Sequence, residues 1–290
     1  MFPAEFQYFR ASSVADAQRL LAQIDGAKLL AGGHSLLPLL KLRLATPPAL
    51  IDIGRIAELK GITIRGNTIR IGALTTHTEV ASSKALAGAC PILPETAGQI
   101  GDPLVRNYGT VGGNIAHADP ASDLPPVFLA LGARMVAAGP KGERTIEARD
   151  FFTGMMTTDL ADDEILIAIE VPVRQAGQGM AYVKFAHPAS RYAVVGAAVV
   201  VTMSGGTCKA ASVALGGLVP KPKRAASVEA ALTGQPATAV VIQQAAAKVA
   251  GDLGGEVLGD IFASAEYRRA MAPVYVKRTL AAAVARAGQS

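Results

Sequence analysis

The sequence predicts an α+β protein built as two units, and three observations predict it. Its 290 residues are half hydrophobic, enough to bury a substantial core without metal or disulfide staples. Up to about residue 176, short apolar runs alternate with segments whose apolar residues recur every three to four positions. Beyond "QAGQG" at 175–179, a stretch with no core-forming side chains, the order changes to three strands followed by helices. Aromatic residues are 5 % and tryptophan is absent, so the core is expected to be aliphatic and rich in alanine.

The elements follow in order. "SSVADAQRLLAQI" reads as a helix capped by Ser12 or Ser13, with Val14, Ala17, Leu20, Leu21 and Ile24 on one face. "AKLL" is a short strand running into a double glycine, "LLPLLKLRLA" has helical spacing after Pro38, and "ALIDIG" is a buried strand. "GITIRGNTIRIGA" is a hairpin, Ile62 and Ile64 alternating on one side and Ile69 and Ile71 on the other, with the turn at Arg65, Gly66 and Asn67. Helical patterns begin at Thr75 and again at Cys90, then give way at 101 to a polar, glycine-rich segment read as loop. "LPPVFLALGA" is a helix whose first turn accepts the prolines. "RMVAAGPKGERTIEA" is a second hairpin and "DEILIAIEVPV" an apolar strand. After the boundary, "MAYVKFA", "YAVVGAAVVVTM" and "TCKAASVALGGL" are strands, and 226–233, 238–251 and 265–287 are helical. This second unit is an antiparallel sheet covered by helices.

Composition excludes several function classes. Cys90 and Cys208 lie far apart in no ligand spacing, so this chain alone holds neither structural zinc nor an iron–sulfur cluster; they read as two reduced, buried thiols. The start, "MFPAEFQYFR", lacks the pattern of a secretory leader, and the longest apolar run is too short to cross a bilayer, which points to the cytoplasm. The net charge is +5, but the basic residues are scattered and the tightest group, "PKPKR" at 220–224, has no aromatic interleaving, so no nucleic-acid site is expected. Mild basicity suits an anionic cofactor.

Two stretches carry the chemistry. In Ala31-Gly32-Gly33-His34-Ser35, between a strand and a helix, the glycines let peptide N–H groups approach an anion and Ser35 adds a hydroxyl. His34 has no partner histidine and reads as a hydrogen-bonding loop residue. In "GTVGGNIAHADPASDLPP", residues 109–126, Gly109, Gly112 and Gly113 clear the backbone, while Thr110 and Asn114 offer short polar groups. Asp123 can cap the following helix or accept from a sugar hydroxyl. Two anion-friendly stretches of this kind favour a bound dinucleotide. No G-x-G-x-x-G, Walker loop, nucleophile elbow or H-E-x-x-H is present, and no catalytic constellation stands in the chain itself.

The sequence resembles the FAD-binding medium subunit of the molybdenum hydroxylases, the group of carbon monoxide dehydrogenase, quinoline oxidoreductase and xanthine dehydrogenase. "LLAGGHSLLPLLKLRLATPPALIDI" and "RNYGTVGGNIAHADPASDLPP" are similar to the family's two flavin loops, and "ASAEYRRAMAPVYVKR" to its terminal helix. The resemblance spans essentially the whole chain. It implies the two-part FAD-binding α+β fold of the vanillyl-alcohol oxidase type over 1–176, with subdomains at about 1–58 and 59–176, and a small C-terminal α+β domain over 177–290.

Carried over residue by residue, the resemblance places the FAD pyrophosphate over Ala31, Gly32, Gly33, His34 and Ser35 and the backbone of Gly112 and Gly113. Thr110 and Asn114 match positions that hydrogen-bond the cofactor, and Asp123 an acid on its ribityl or ribose side. Leu166 matches an apolar residue packing near the cofactor, Lys184 a basic residue near the isoalloxazine ring, and Tyr192 an aromatic stacking against that ring. The resemblance further implies a large partner holding molybdenum-molybdopterin and a small partner holding two [2Fe-2S] clusters, assembled as a dimer of heterotrimers. Substrate is then hydroxylated on the large partner, and electrons pass through the clusters to FAD here and on to an external acceptor. The expected location is cytoplasmic, with peripheral attachment at the inner face of the membrane as an option. "VKFAHPAS" at 183–190 is less basic than its counterpart in carbon monoxide dehydrogenases, and the lack of a cysteine between Cys90 and Cys208 excludes the branch that reduces aromatic thioesters. Two other readings stand beside this one: a self-contained FAD-dependent oxidase or dehydrogenase, and a non-catalytic anion-binding scaffold.

Overall fold

The computed structural model describes residues 2–288; Met1, with which the stretch read for a leader begins, and residues 289–290 lie outside them. The chain opens with β1 (Gln7–Arg10), α1 (Val14–Gln23), β2 (Lys28–Leu30), α2 (Leu36–Lys41) and β3 (Ala49–Asp52). The strands form a parallel sheet in the order β1-β3-β2. Ser13 caps α1 by accepting from Asp16 N, and Ala17 and Leu20 bury the expected face against Ala49 and Ile51. The helix read after Pro38 begins two residues earlier, which places that proline in its first turn, where it has no N–H to lose.

After a single 3₁₀ turn come β4 (Ile62–Arg65), β5 (Thr68–Gly72) and six helices: α3 (His77–Ala81), α4 (Lys84–Ala89), α5 (Ile92–Gln99), α6 (Pro103–Tyr108), α7 (Val111–His117) and α8 (Leu124–Leu131). They are followed by β6 (Arg134–Gly139), β7 (Gly142–Glu147), α9 (Ala148–Phe151), the small β8 (Phe152–Gly154) and β9 (Thr157–Thr158), and β10 (Ile165–Pro172). The larger strands make an antiparallel sheet, β4-β5-β10-β6-β7. Of the first hairpin's isoleucines, Ile69 and Ile71 are buried, whereas Ile64, on edge strand β4, is exposed. The segment read as loop from residue 101 holds α6 and α7. Asp102 caps the first and Thr110 the second, both through side-chain oxygens that accept a helix N–H.

The last unit contains β11 (Gln178–Ala186), β12 (Ala193–Ser204), β13 (Thr207–Gly216) and β14 (Lys223–Arg224), antiparallel in that order, then α10 (Ala226–Leu232), α11 (Ala239–Ala247), α12 (Val249–Leu253) and α13 (Ala265–Ala287). The long apolar run in β12 is explained by burial on both faces. Val195, Ala197, Val199 and Val201 face the helical layer, while Ala198 joins Tyr182 and Ala214 in the core shared with α8. A Cβ on Gly179 would stand 1.9 Å from Ala283 O, which shows how closely β11 meets α13. Cys90 and Cys208 are free and buried, and burial pushes the Cys90 thiol up to about 12. Among the described residues, no helix is long and apolar enough to cross a membrane.

Candidate functional site

The first glycine stretch leaves β2 and turns into α2. Gly33 has φ +74°, a conformation that side chains disfavour. Gly32 lies so close to the second stretch that a Cβ there would fall 2.0 Å from Tyr108 O. The N–H groups of Gly32, Gly33, His34, Ser35 and Leu36 meet no acceptor among the described residues; Leu37 N is the next that does, bonding Gly33 O. Five successive amide donors are therefore available to a ligand, the arrangement that holds an anion. His34 does what its sequence context suggests: Nδ1 lies 2.9 Å from Gly32 O, and the ring stacks on Tyr108 with centroids 5.6 Å apart.

The second stretch is built otherwise. Val111 N donates to Thr75 O, Gly112 N to Ala73 O, Gly113 N to the Thr110 hydroxyl and Asn114 N to Thr110 O. The amides of residues 111–114 are taken by the protein, so the expectation that the backbone of Gly112 and Gly113 receives the pyrophosphate is not supported by free donors. Gly112 serves packing instead, because a Cβ there would stand 2.4 Å from Ala73 Cβ. What this stretch offers is Asn114: its Nδ2 donates to Ser122 Oγ at 2.9 Å, and its Oδ1 is buried with no donor among the described residues.

Asp123 stands at the start of α8 but makes no cap bond. Its carboxylate accepts from Tyr182 Oη at 2.6 Å and Lys184 Nζ at 2.8 Å, both from β11, and it is 5 % exposed. Burial pushes the Asp123 carboxyl up, against the opposing pull of the ammonium and the phenol. Burial and that carboxylate push the Tyr182 phenol well up, so it remains a donor. Lys184 also donates to Gln99 O and Arg191 O. It does not line the cavity, and three acceptors hold it behind Asp123, so a direct contact with a ring in the cavity is not supported by this geometry.

The other twelve residues marked in the sequence, Ala31 through Ser35, Thr110, Gly112, Gly113, Asn114, Asp123, Leu166 and Tyr192, line one cavity of about 950 Å³. It lies between the two larger sheets of the first unit, and the segment ahead of β12 closes one side with Tyr192, half exposed. Leu166, on β10, sits where a bulge interrupts the ladder to β6. One wall residue carries no sequence signal: His77, buried at the first turn of α3 within a Thr76/Glu79 capping box.

A family model for the FAD binding domain in molybdopterin dehydrogenase matches residues 4–174, and one for the CO dehydrogenase flavoprotein C-terminal domain matches 180–283. This chain belongs to the FAD-binding medium subunits of the molybdenum hydroxylases. The medium chain is 42 % identical over 287 residues to the carbon monoxide dehydrogenase medium chain of Hydrogenophaga pseudoflava, covering 99 % of both. It superposes on a structure of carbon monoxide dehydrogenase from that organism, one lacking the Mo-pyranopterin moiety of the molybdenum cofactor, with TM-score 0.95 and 44 % identity over 99 % of each chain. Quinoline 2-oxidoreductase from Pseudomonas putida 86 matches with TM-score 0.93 and 32 % identity, again over 99 % of each. These solved folds pair an FAD-binding domain with a C-terminal domain, as the sequence led us to expect. The site fits the group: five free amides suit a diphosphate, and the orphaned Asn114 Oδ1 calls for a donor from outside the chain.

Proposed function

We propose that this medium chain holds FAD in the cavity and serves as the electron-transfer subunit of a molybdenum-containing hydroxylase. The observation that carries the reading is the convergence of the free amides of residues 32–36, the orphaned Asn114 Oδ1 and Tyr192 on one cavity in a chain matched end to end by medium subunits. Bound FAD supplies acceptance of single electrons and their release one or two at a time. The chain's own work is to bind and orient. Amides 32–36 grip the diphosphate, Asn114 Oδ1 accepts from a hydroxyl or ring N–H, and Leu166 and Ile100 exclude water from the apolar parts. No general base is needed for this role.

The partners in this reading are a large molybdopterin-binding subunit and a small subunit with two [2Fe-2S] clusters, paired as a dimer of heterotrimers in the cytoplasm. Electrons enter from the small subunit and leave to an external acceptor, and substrate choice rests with the large subunit. Division of the chain at residue 176 is supported by the match of separate family models on either side. A self-contained oxidase or dehydrogenase, or a scaffold, is disfavoured because the relatives matched over their whole length are themselves medium subunits. The test is the visible spectrum of the purified chain and identification of its heat-released cofactor. Flavin bands with FAD released support the reading; folded protein that refuses added FAD overturns it. Asn114→Ala should then weaken FAD binding by roughly threefold to tenfold, the loss of one hydrogen bond.

A further inference from the structure

One buried side chain in the cavity wall has no role in that reading. His77 is 3 % exposed and lines the cavity. Its backbone N–H donates to Gly109 O, and Thr76 and Thr110 pair beside it as an isolated bridge. These contacts fix the ring where the two glycine stretches meet: a Cβ on Gly109 would stand 2.9 Å from His77 Cδ2. Neither ring nitrogen hydrogen-bonds any described residue, and Nδ1 is wholly buried. With Nδ1 closed off, Nε2 is the unpaired ring nitrogen that a partner in the cavity can reach.

The surroundings specify the kind of partner. The titratable neighbours acting on the ring are His34, from the first glycine stretch, and the Arg106 guanidinium, from α6. Glu79, on the ring's own helix, is turned to the Thr76 N–H and hydroxyl. Burial first, then those two neighbours, hold the His77 pKa down to about 4, so the ring is neutral at pH 7 in a positive local potential. A neutral imidazole presents one N–H donor, and phosphate oxygens only accept. The unfilled donors of amides 32–36 line the same cavity.

We propose that His77 is a further ligand-contacting residue, whose ring N–H donates to the diphosphate seated on the amides of residues 32–36. The proposal rests on the reading of the cavity as an FAD site and adds a contact that neither spacing nor family resemblance marks. The test uses the full chain freed of flavin, titrated with FAD and with riboflavin, which lacks the diphosphate. His77→Leu should raise the FAD dissociation constant roughly tenfold or more, the loss of a hydrogen bond to a charged group. Riboflavin binding should be unchanged, and the melting temperature equal to or above wild type because an unpaired polar group has gone. His77→Gln, which keeps a donor, should recover part of the FAD affinity. FAD affinity equal to wild type in His77→Leu, or an equal loss for FAD and riboflavin, overturns the contact. If His77→Leu does not fold, the ring ¹⁵N resonances of wild-type His77 decide: a shift with FAD and none with riboflavin is expected, and no shift with FAD overturns it. A wild-type chain that binds neither compound removes the flavin reading itself, a result distinct from all of these.

Discussion

The two glycine-rich stretches look alike as sequence, yet one is open and the other braced. Residues 32–36 leave their amides free of acceptors among the described residues, and the nearest atoms to a Cβ on Gly33 belong to the side chains of Leu37 and Leu30. Residues 111–114 have their amides bonded to Thr75, Ala73 and Thr110, and Gly112 rests on Ala73. The chain just beyond is clamped by the C-terminal unit: Ala193 N donates to Ala121 O, Gly217 N to Pro120 O, and Tyr182 and Lys184 to Asp123. The lesson is that a glycine's purpose is read from what its missing Cβ would touch and where its N–H points, not from its neighbours in sequence. The first stretch is built to meet a ligand, and the second to carry Asn114 rigidly to the same cavity.

The strongest way to break this contrast is to remove the clamp. Lys184→Met leaves the Asp123 carboxylate buried without its cation and should cost about 4 kcal/mol near pH 7. The sign with pH follows from burial, which already raises the Asp123 pKa in the folded state. The neutral carboxyl is favoured on folding, so its contribution is fully present below the unfolded value of about 3.8 and is lost as pH rises through the folded value. Without the ammonium that folded value climbs further, and the deficit of Lys184→Met should shrink as pH falls from 7 to 4. Urea unfolding at both pH values measures it; an equal deficit at each would mean that the ion pair is not what the lysine provides.

Next in size is Gly112→Ala, which forces a methyl group onto Ala73 at 2.4 Å from its Cβ and 2.7 Å from its backbone. Neither partner can swing away, and a cost of about 3 kcal/mol is expected. The loss should appear in the melting temperature of the flavin-free chain, because the strain exists without any ligand. A variant as stable as wild type would show that α7 can shift, and that the second stretch is not rigid.

His77, beneath both stretches, adds a smaller and pH-dependent effect. Its folded pKa is depressed from 6.5 to about 4. The stability it contributes is therefore fully present above 6.5 and lost as pH falls toward 4, about 2 kcal/mol of it by pH 5. Comparing wild type with His77→Leu at pH 7.5 and 5 isolates this contribution, and identical pH dependence would show the ring to be solvated.

How much of this was legible in the sequence depended on whether the signal was local. The α1 face, the hairpin turns and the order of the last unit are written in period and punctuation, and appear with close to the expected bounds. The two glycine-rich stretches that line the cavity stood out by their glycines, and Tyr192 and Leu166, which line it too, by family resemblance. What stayed hidden depends on tertiary contact. Gly112 and Gly113 looked like bare loop because glycine argues against helix, yet the Thr110 cap and the seat on Ala73 hold them in α7. Asp123 read as a cap or sugar ligand because its partners lie 59 and 61 positions away on β11. His77 had no motif at all; only its buried, unpaired nitrogen marks it.

The smallest effect on stability should carry the clearest functional signal. Gly33→Ala places an alanine at φ +74° and its Cβ 2.9 Å from Leu37 Cδ1, the far end of a flexible, partly exposed side chain. The leucine can move, so the cost is mainly that of the left-handed backbone, about 1 kcal/mol. The same strain tilts the peptide planes on either side, and with them the N–H groups of Gly33 and His34 in the amide row. FAD affinity should fall about tenfold, more than the change in stability alone would suggest, as expected when charge-assisted hydrogen bonds lose their alignment. Gly112→Ala should show the reverse ratio, a large loss of stability with FAD affinity falling only as the fold loosens. Measured side by side, equal ratios in the two variants would erase the distinction between an open stretch and a braced one; opposite ratios would locate ligand recognition in the first.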